Sequence, residues 1–280
     1  MDRPAFPERW NTSDPELIAE TFSSKIWKVR LPSGELAAVK DLKPFDDVED
    51  ELRGAHLLSW RRGEGLVRLL DMDGNRMLLE YAGETMLSHV LDQHGDGQAT
   101  EIAADVMARL HSPSDHAVPP DLQPLRERFS SLFKAAATDR DLGNRTIYVE
   151  AAEIAERLLD DPHALCPLHG DLHHENIMLG ARGWLAIDPK GVFGDPAFDA
   201  ANMFYNPLER DDLCLKPDRI AHMAEVFSKT LGQHPRRLLD FAIAYGCLSA
   251  AWHREDANGH DEGRELGIAA AIRELRDLSF

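Results

Sequence analysis

One short stretch of this chain has residue types and a spacing suited to proton and phosphate chemistry. It runs His169-Gly170-Asp171-Leu172-His173-His174-Glu175-Asn176, and Asp188 follows twelve residues later in Ile187-Asp188-Pro189. An Asp and an Asn five positions apart in a tight loop can aim both side chains into one cleft. A second Asp at the end of the next strand can meet them there. Oxygen donors on Asn176 and Asp188, completed by phosphate oxygens and water, suit Mg²⁺, which keeps few protein ligands. Asp171 then remains to accept a proton from an attacking hydroxyl. This order of residues is the one phosphoryl transfer uses. The histidines offer a competing reading as a transition-metal site. However, His173 and His174 are adjacent and must diverge, whereas a metal-binding pair sits about three to five apart on a regular element. They read as loop-packing residues, and His169 as a hydrogen-bonding support behind Asp171.

Such a site needs a strand-borne Lys for the nucleotide phosphates and a helix-borne Glu to hold that Lys. Trp27–Leu31 alternates apolar and basic residues as a half-buried strand does, and Pro32-Ser33-Gly34-Glu35 is a turn. Leu36–Lys40 reads as the returning strand and ends on Lys40. Residues 48–60 carry a helical apolar spacing, with acids at Asp47–Glu51 where the helix dipole favours them. Glu51 is the best-placed partner for Lys40. Leu66–Leu70 and Arg76–Tyr81 read as two more strands. The second runs through Leu78-Leu79-Glu80-Tyr81-Ala82-Gly83 into a small-residue link, a hinge at 79–83. There Leu79 would lie beside an adenine, with the Glu80 carbonyl and the Ala82 amide at its edge. No glycine-rich phosphate loop is present. The turn Thr21–Ile26 offers Ser23, Ser24 and backbone amides in its place.

From Met86 onward the pattern is helical. Ala99–His111, Leu125–Ala137, Tyr148–Leu159, Asp218–Leu231, Arg236–Ala251 and Gly263–Leu278 read as helices, interrupted by strands and loops over Leu165–Pro196. The expected organisation is a nucleotide-binding lobe over residues 1–83 and a helical lobe over 84–280 that carries the catalytic loop and the acceptor site.

The 280 residues include 31 Lys and Arg against 49 Asp and Glu, a formal net charge of −18, with 43% hydrophobic residues. That balance is globular rather than disordered. The excess of acid argues against nucleic acid and anionic membranes as partners and permits a cationic one. Cys166, Cys214 and Cys247 form no CxxC pair, so free thiols are expected. No secretory signal and no apolar run of membrane-spanning length appear, so the expectation is a cytoplasmic monomer.

The residues resemble a known family. His169-Gly170-Asp171 through Asn176, Ile187-Asp188-Pro189, and Gly194-Asp195-Pro196 through Asp199 are similar to the aminoglycoside phosphotransferases, in the branch of aminoglycoside/hydroxyurea resistance kinases. The resemblance extends to Asp50–Ala55, Leu78–Gly83, Ala201–Tyr205, Arg210–Leu215 and Tyr245–Trp252. It implies an α+β, protein-kinase-like bilobal fold, with a small antiparallel-sheet N-lobe carrying one helix and a larger, mainly helical C-lobe. It implies ATP and Mg²⁺, with Asp171 as base, Asn176 and Asp188 as metal ligands, and Lys40 paired with Glu51. The implied reaction is phosphorylation of an aminoglycoside hydroxyl, above all the 6-hydroxyl of streptomycin. Hydroxyurea, another aminoglycoside or an amino alcohol is the alternative acceptor. Asp199, Glu209, Trp252 and Glu255 are the candidates for reading a polycationic substrate, and His169 and Asp195 for bracing the catalytic loop. No substrate role falls to Lys190.

Overall fold

The computed structural model describes residue 4, residues 6–44 and residues 48–279. Asp47, read above into the start of a helix, and Met1–Arg3 and Ala5 of the expected non-secretory start lie outside the described residues. The first half-lobe is an antiparallel sheet of β1 (Ser13–Glu20), β2 (Ser24–Arg30), β3 (Leu36–Leu42), β4 (Leu69–Asp73) and β5 (Arg76–Glu80) in the order β1-β2-β3-β5-β4, with helix α1 (Val48–Arg61) between β3 and β4. The β2–β3 hairpin forms because Gly34 takes a left-handed φ of 89° in the turn, which sets Arg30 opposite Leu36 and Ile26 opposite Lys40.

Two strands differ from expectation. β1 was not foreseen: it contains Pro15 and two glutamates and is largely exposed, the composition of an edge strand rather than a core one. β4 begins at Leu69 rather than Leu66, because Leu66 and Val67 leave the sheet. Both are buried, Leu66 bridges to Ala186, and the Val67 amide donates to the Ala186 carbonyl at 3.0 Å. An apolar pair that looks like a strand start is thus a seam to the second lobe.

The second lobe opens with β6 (Thr85–Met86), α2 (Leu87–His94) and α3 (Asp96–Leu110), then β7 (Gln123–Pro124), α4 (Leu125–Arg128), α5 (Ser130–Asp141) and α6 (Ile147–Asp160). The stretch expected as one helix over Leu125–Ala137 breaks at Phe129 into α4 and α5. Short strands follow: β8 (Cys166–Leu168), β9 (Ile177–Gly180), β10 (Gly183–Ala186) and β11 (Val192–Gly194). The β9–β10 hairpin pairs with β6, and β11 pairs with both β7 and β8. The chain closes with α7 (Ala197–Met203), α8 (Asp211–Cys214), α9 (Pro217–Leu231), α10 (Pro235–Glu255) and α11 (Gly259–Ser279).

Helix α10 is the centre of this lobe. It is buried almost continuously from Leu238 to Leu248, as expected of a helix apolar on all sides. Phe129, Phe198 and Tyr245 stack edge to face at 5.6 and 5.5 Å and tie α7 and α10 to the α4–α5 break. Among the described residues, no helix is long and apolar enough to cross a membrane.

Helix α1 divides its packing. Ala55 lies with Leu42 and Met77 beneath the sheet, whereas Leu57 and Leu58 join the core of the helical lobe. Its far end is tied to that lobe by Arg61, whose guanidinium donates to the Arg109 and Ser112 carbonyls.

Candidate active site

The catalytic-loop candidate is held from behind by α7. Asp199 and Asn202 are three apart on that helix and so share a face. Asp199 Oδ2 accepts the His169 amide and Oδ1 accepts the Gly170 amide, both at 2.8 Å. His111 Nε2 adds a third bond to the same carboxylate at 2.9 Å. Burial alone would raise the Asp199 carboxyl, but His111, His169 and the Gly170 amide outweigh it and hold it below the usual range. Asn202 Nδ2 donates to Asp171 Oδ1 at 3.1 Å, and Asn206 Nδ2 donates to Asn202 Oδ1 at 2.9 Å. Asp171 Oδ1 is thereby fixed, and its Oδ2, with His173 Nε2 3.9 Å away, is left to take a proton.

His169 is neutral by two separate arguments. Its Nε2 lies 2.7 Å from the Ile187 carbonyl, which can only accept, so Nε2 carries the proton. Nδ1 is then free to accept the Asp171 amide at 3.2 Å. Burial also lowers its pKa against the pull of Asp199 and Asp171. Asn176 Nδ2 donates to the Asp171 carbonyl at 2.9 Å, so its oxygen is the atom left for a ligand.

Opposite the loop, a cavity of about 260 Å³ runs between the sheet and β9. Ile18, Ile26 and Ala38 line it from the sheet, and Met178 and Ile187 from the other lobe. Leu79 through Gly83 form its back edge. Gly83 has φ 83°, and a Cβ there would stand 2.3 Å from the Leu179 carbonyl oxygen, so only glycine fits this link. The charged end gathers Lys40, Glu51, Asn176 and Asp188. Lys40 Nζ donates to Glu51 Oε2 and to Asp188 Oδ1. Asp188 sits at φ 58°, a strained turn that aims its carboxylate back at the sheet. Burial would raise this carboxyl, but Lys40 and Lys190 outweigh it and hold it well below the usual range. An apolar slot with one cationic, oxygen-rich end suits a nucleotide: base in the slot, phosphates at the charges. An Asn oxygen and one carboxylate suit a magnesium ion that takes its remaining ligands from phosphate and water.

A second cavity of about 790 Å³ lies on the other side of the first turn of α1. Glu51 and Gly54 face the first cavity; Glu49, Asp50 and Arg53 face the second. Asp121, Glu127, Glu255 and Asp256 line it too, with Arg128 and Trp252.

Several expectations change. Asp199 is 1% exposed and fully engaged by the loop and His111, so it cannot meet substrate; it takes the bracing role expected of Asp195. Asp195 instead accepts the amides of His163 and Ala197 and the side chains of Gln233 and Arg237, which fasten α7 to α10 rather than to the loop. Ser23 is absent from the cavity lining; Thr21 and Ser24 are there, tied to each other by hydroxyl contacts at 3.2 Å. The Glu80 carboxylate is taken by Arg182 at 2.7 and 2.6 Å, so only its backbone is left for a base edge. Glu209 is exposed on a loop and lines neither cavity. Trp252 and Glu255 do line the second cavity, but the Arg128 guanidinium already covers the Trp252 ring at 5.0 Å, and Ser131 donates to Glu255 at 2.9 Å.

Two residues in the site carried no assigned role in the sequence. Asn202 was signalled by its i, i+3 spacing from Asp199. Lys190 donates to Glu51 Oε1 at 3.0 Å and to Asp188 Oδ2 at 3.3 Å. No local signal marks it, because its partner Glu51 is 139 positions away.

The architecture is protein-kinase-like. An ethanolamine kinase from Plasmodium vivax superposes with a TM-score of 0.64 at 14% identity, over 93% of this chain and 81% of that one. A thermostable mutant of an aminoglycoside phosphotransferase, solved with ADP and hygromycin B, gives a TM-score of 0.63 at 15% identity, over 96% of each chain. The chain belongs to the aminoglycoside/hydroxyurea antibiotic resistance kinase family, whose model matches residues 9–257. A streptomycin 3″-kinase from Klebsiella pneumoniae is 40% identical over 96% of this chain and all of the relative. A streptomycin 6-kinase from Streptomyces griseus is 34% identical over 95% of this chain and 86% of the relative.

Proposed function

We propose that this chain transfers the γ-phosphoryl group of ATP to a hydroxyl of streptomycin. The observation that carries the reading is the pair of cavities on either side of the first turn of α1, one an apolar slot with a charged end and one lined by six carboxylates. Streptomycin is polycationic, and paired carboxylates hold guanidinium groups by charge-assisted hydrogen bonds. Glu127 and Asp256 line the second cavity, Glu255 accepts only a hydroxyl from Ser131 among the described residues, and Glu49 and Asp121 are already paired with Arg53 and His56. Asp50 is already engaged by Arg53 and Arg128.

In this reading Lys40 binds the α- and β-phosphates and Glu51 holds Lys40. Leu79 to Ala82 carry the adenine. Asn176 and Asp188 would hold a magnesium ion, which would offset charge on the transferring group. Asp171 Oδ2 accepts the proton of the acceptor hydroxyl as its oxygen attacks the γ-phosphorus, and the bond to the β–γ bridging oxygen breaks to leave ADP. Asn202 and Asp199 keep Asp171 pointed for that step. The resemblance read from the sequence pointed to the 6-hydroxyl. The 3″-kinase relative shares more identity over its whole length than the 6-kinase does, which favours the 3″-hydroxyl, with the 6-hydroxyl second.

The test is ADP release from Mg-ATP with streptomycin, kanamycin and hydroxyurea in parallel, followed by two-dimensional phosphorus–proton correlation of the product. Release with streptomycin and a phosphorus coupled to the 3″ proton is expected. No streptomycin-dependent release overturns the substrate, and coupling to the 6 proton overturns the position.

A further inference from the structure

At the charged end of the first cavity Lys40 lines the wall, and a second lysine, Lys190, which is not among the lining residues, bonds to the same two carboxylates. Lys40 comes from β3 and Lys190 from the segment after Asp188. Each donates to both Glu51 and Asp188, so two carboxylates and two ammonium groups alternate around a closed ring. The Glu51 and Lys40 side chains are 5% and 7% exposed, and that of Lys190 is 16%. A buried carboxylate with one lysine would leave its second oxygen unpaired, and Lys190 fills that place.

The backbone around Lys190 is fixed as tightly as its ammonium. Its amide donates to the His169 carbonyl at 2.7 Å, directly before the loop that ends in Asp171. On either side, the segment is pressed against α1. A Cβ on Gly54 would stand 1.9 Å from the Pro189 carbonyl oxygen, and one on Gly191 would stand 2.7 Å from the Arg53 backbone. Gly191 also has φ 65°. Lys190 is therefore carried by the catalytic-loop side of the molecule and reaches Glu51 on α1, while Glu51 reaches Lys40 on the sheet.

A metal ion held by Asn176 and Asp188 would compete with both lysines for the Asp188 carboxylate. Lys40 would be left with Glu51 and the phosphates, and Glu51 would keep its orientation only through its other oxygen. We propose that Lys190 is a positioning residue for nucleotide: it holds Glu51 by Oε1, so that Oε2 keeps Lys40 aimed at the phosphates when a metal ion competes for Asp188. This rests on the nucleotide half of the proposed function and not on the identity of the acceptor.

The test uses the full chain with Lys190→Met, Lys190→Gln, Glu51→Gln and the Lys190→Met/Glu51→Gln double variant. Calorimetric titration with MgADP gives affinity without turnover, and thermal melting separates unfolded variants from weakened ones. For whichever single Lys190 variant folds, the expected result is a rise of about tenfold in the MgADP Kd and in the KM for ATP, with the acceptor KM within about twofold. In the Glu51→Gln background the same change is expected to add less than about twofold, because two residues acting as one unit do not add. An unchanged MgADP Kd in a folded Lys190 variant, or full additivity in the double variant, overturns the proposal. Wild-type chain that binds MgADP but phosphorylates no streptomycin refutes the acceptor alone. Failure to bind MgADP refutes the nucleotide reading and this inference with it.

Discussion

On one side of the first turn of α1 the cavity holds about 260 Å³ between apolar walls and keeps its charges at one end. On the other side it holds about 790 Å³ and is lined by Glu49, Asp50, Asp121, Glu127, Glu255 and Asp256 against Arg53 and Arg128. The first binds by shape, and its few charges are buried and mutually paired. The second binds by charge, and several of its acids, Glu49, Glu127 and Glu255 among them, are exposed. Buried, paired groups fix one geometry and lose much when one is removed. Exposed acids each contribute little and tolerate exchange.

Four measurements can break or sharpen this contrast. The largest effect is expected at the candidate base. Asp171→Asn should lower kcat about a thousandfold or more while the MgADP Kd stays within about threefold, by ADP-release assay and calorimetry. A collapse of nucleotide affinity in that variant would mean that the two cavities are not separable.

Next is the brace behind it. Asp199→Ala leaves the buried His169 and Gly170 amides without an acceptor, so unfolding free energy should fall by about 3 kcal/mol in denaturant titration. The Asp199 carboxyl is held below its usual range against the cost of burial. Its stabilising contribution is present above about pH 4 and is lost as pH falls through the lower folded-state value, so the gap between variant and wild type should shrink in acid. A gap that widens in acid would contradict the assignment.

Asn202→Ala frees Asp171 Oδ1 without touching either cavity, and kcat should drop about tenfold with both KM values within about twofold. The smallest effects belong to the acidic cavity. Glu255→Gln and Asp256→Asn should each raise the streptomycin KM about threefold, more at low salt than at high, with MgADP affinity unchanged. A salt-independent loss, or one as large as that of Asp171→Asn, would place these acids in a buried, geometry-fixing role and erase the contrast.

The nucleotide end was the readable one. Asp171, Asn176 and Asp188 lie within eighteen positions, and the alternation before Lys40 and the acids before Glu51 mark a strand and a helix by local pattern. The hinge was visible as an apolar strand running into Ala82-Gly83. The second cavity was readable only in part: Trp252, Glu255 and Asp256 were named from the sequence and line it. Glu49 and Asp50, and Asp121 to Arg128, come from two other regions of the chain, and each alone looks like a solvated helix end or loop. Asp199 stood open between substrate acid and loop brace, because an acid in a helix looks the same whether it faces solvent or two buried amides. The break at Phe129 was invisible because the apolar period continues through it, and the edge strand β1 because its alternation is masked by exposed acids.

By itself the sequence determined the kinase family, the α+β fold and the order of most elements, because those depend on short spacings that one loop or one hairpin realises. Only the tertiary structure decided that Asp199 braces rather than binds, that Arg128 covers Trp252, and that Lys190 closes a ring with Glu51. Each of those is a contact between residues more than seventy positions apart or between different elements, except for the two amides that Asp199 holds about thirty positions back. Partnership at that range is set by how the helices pack around α10, and no local spacing encodes it.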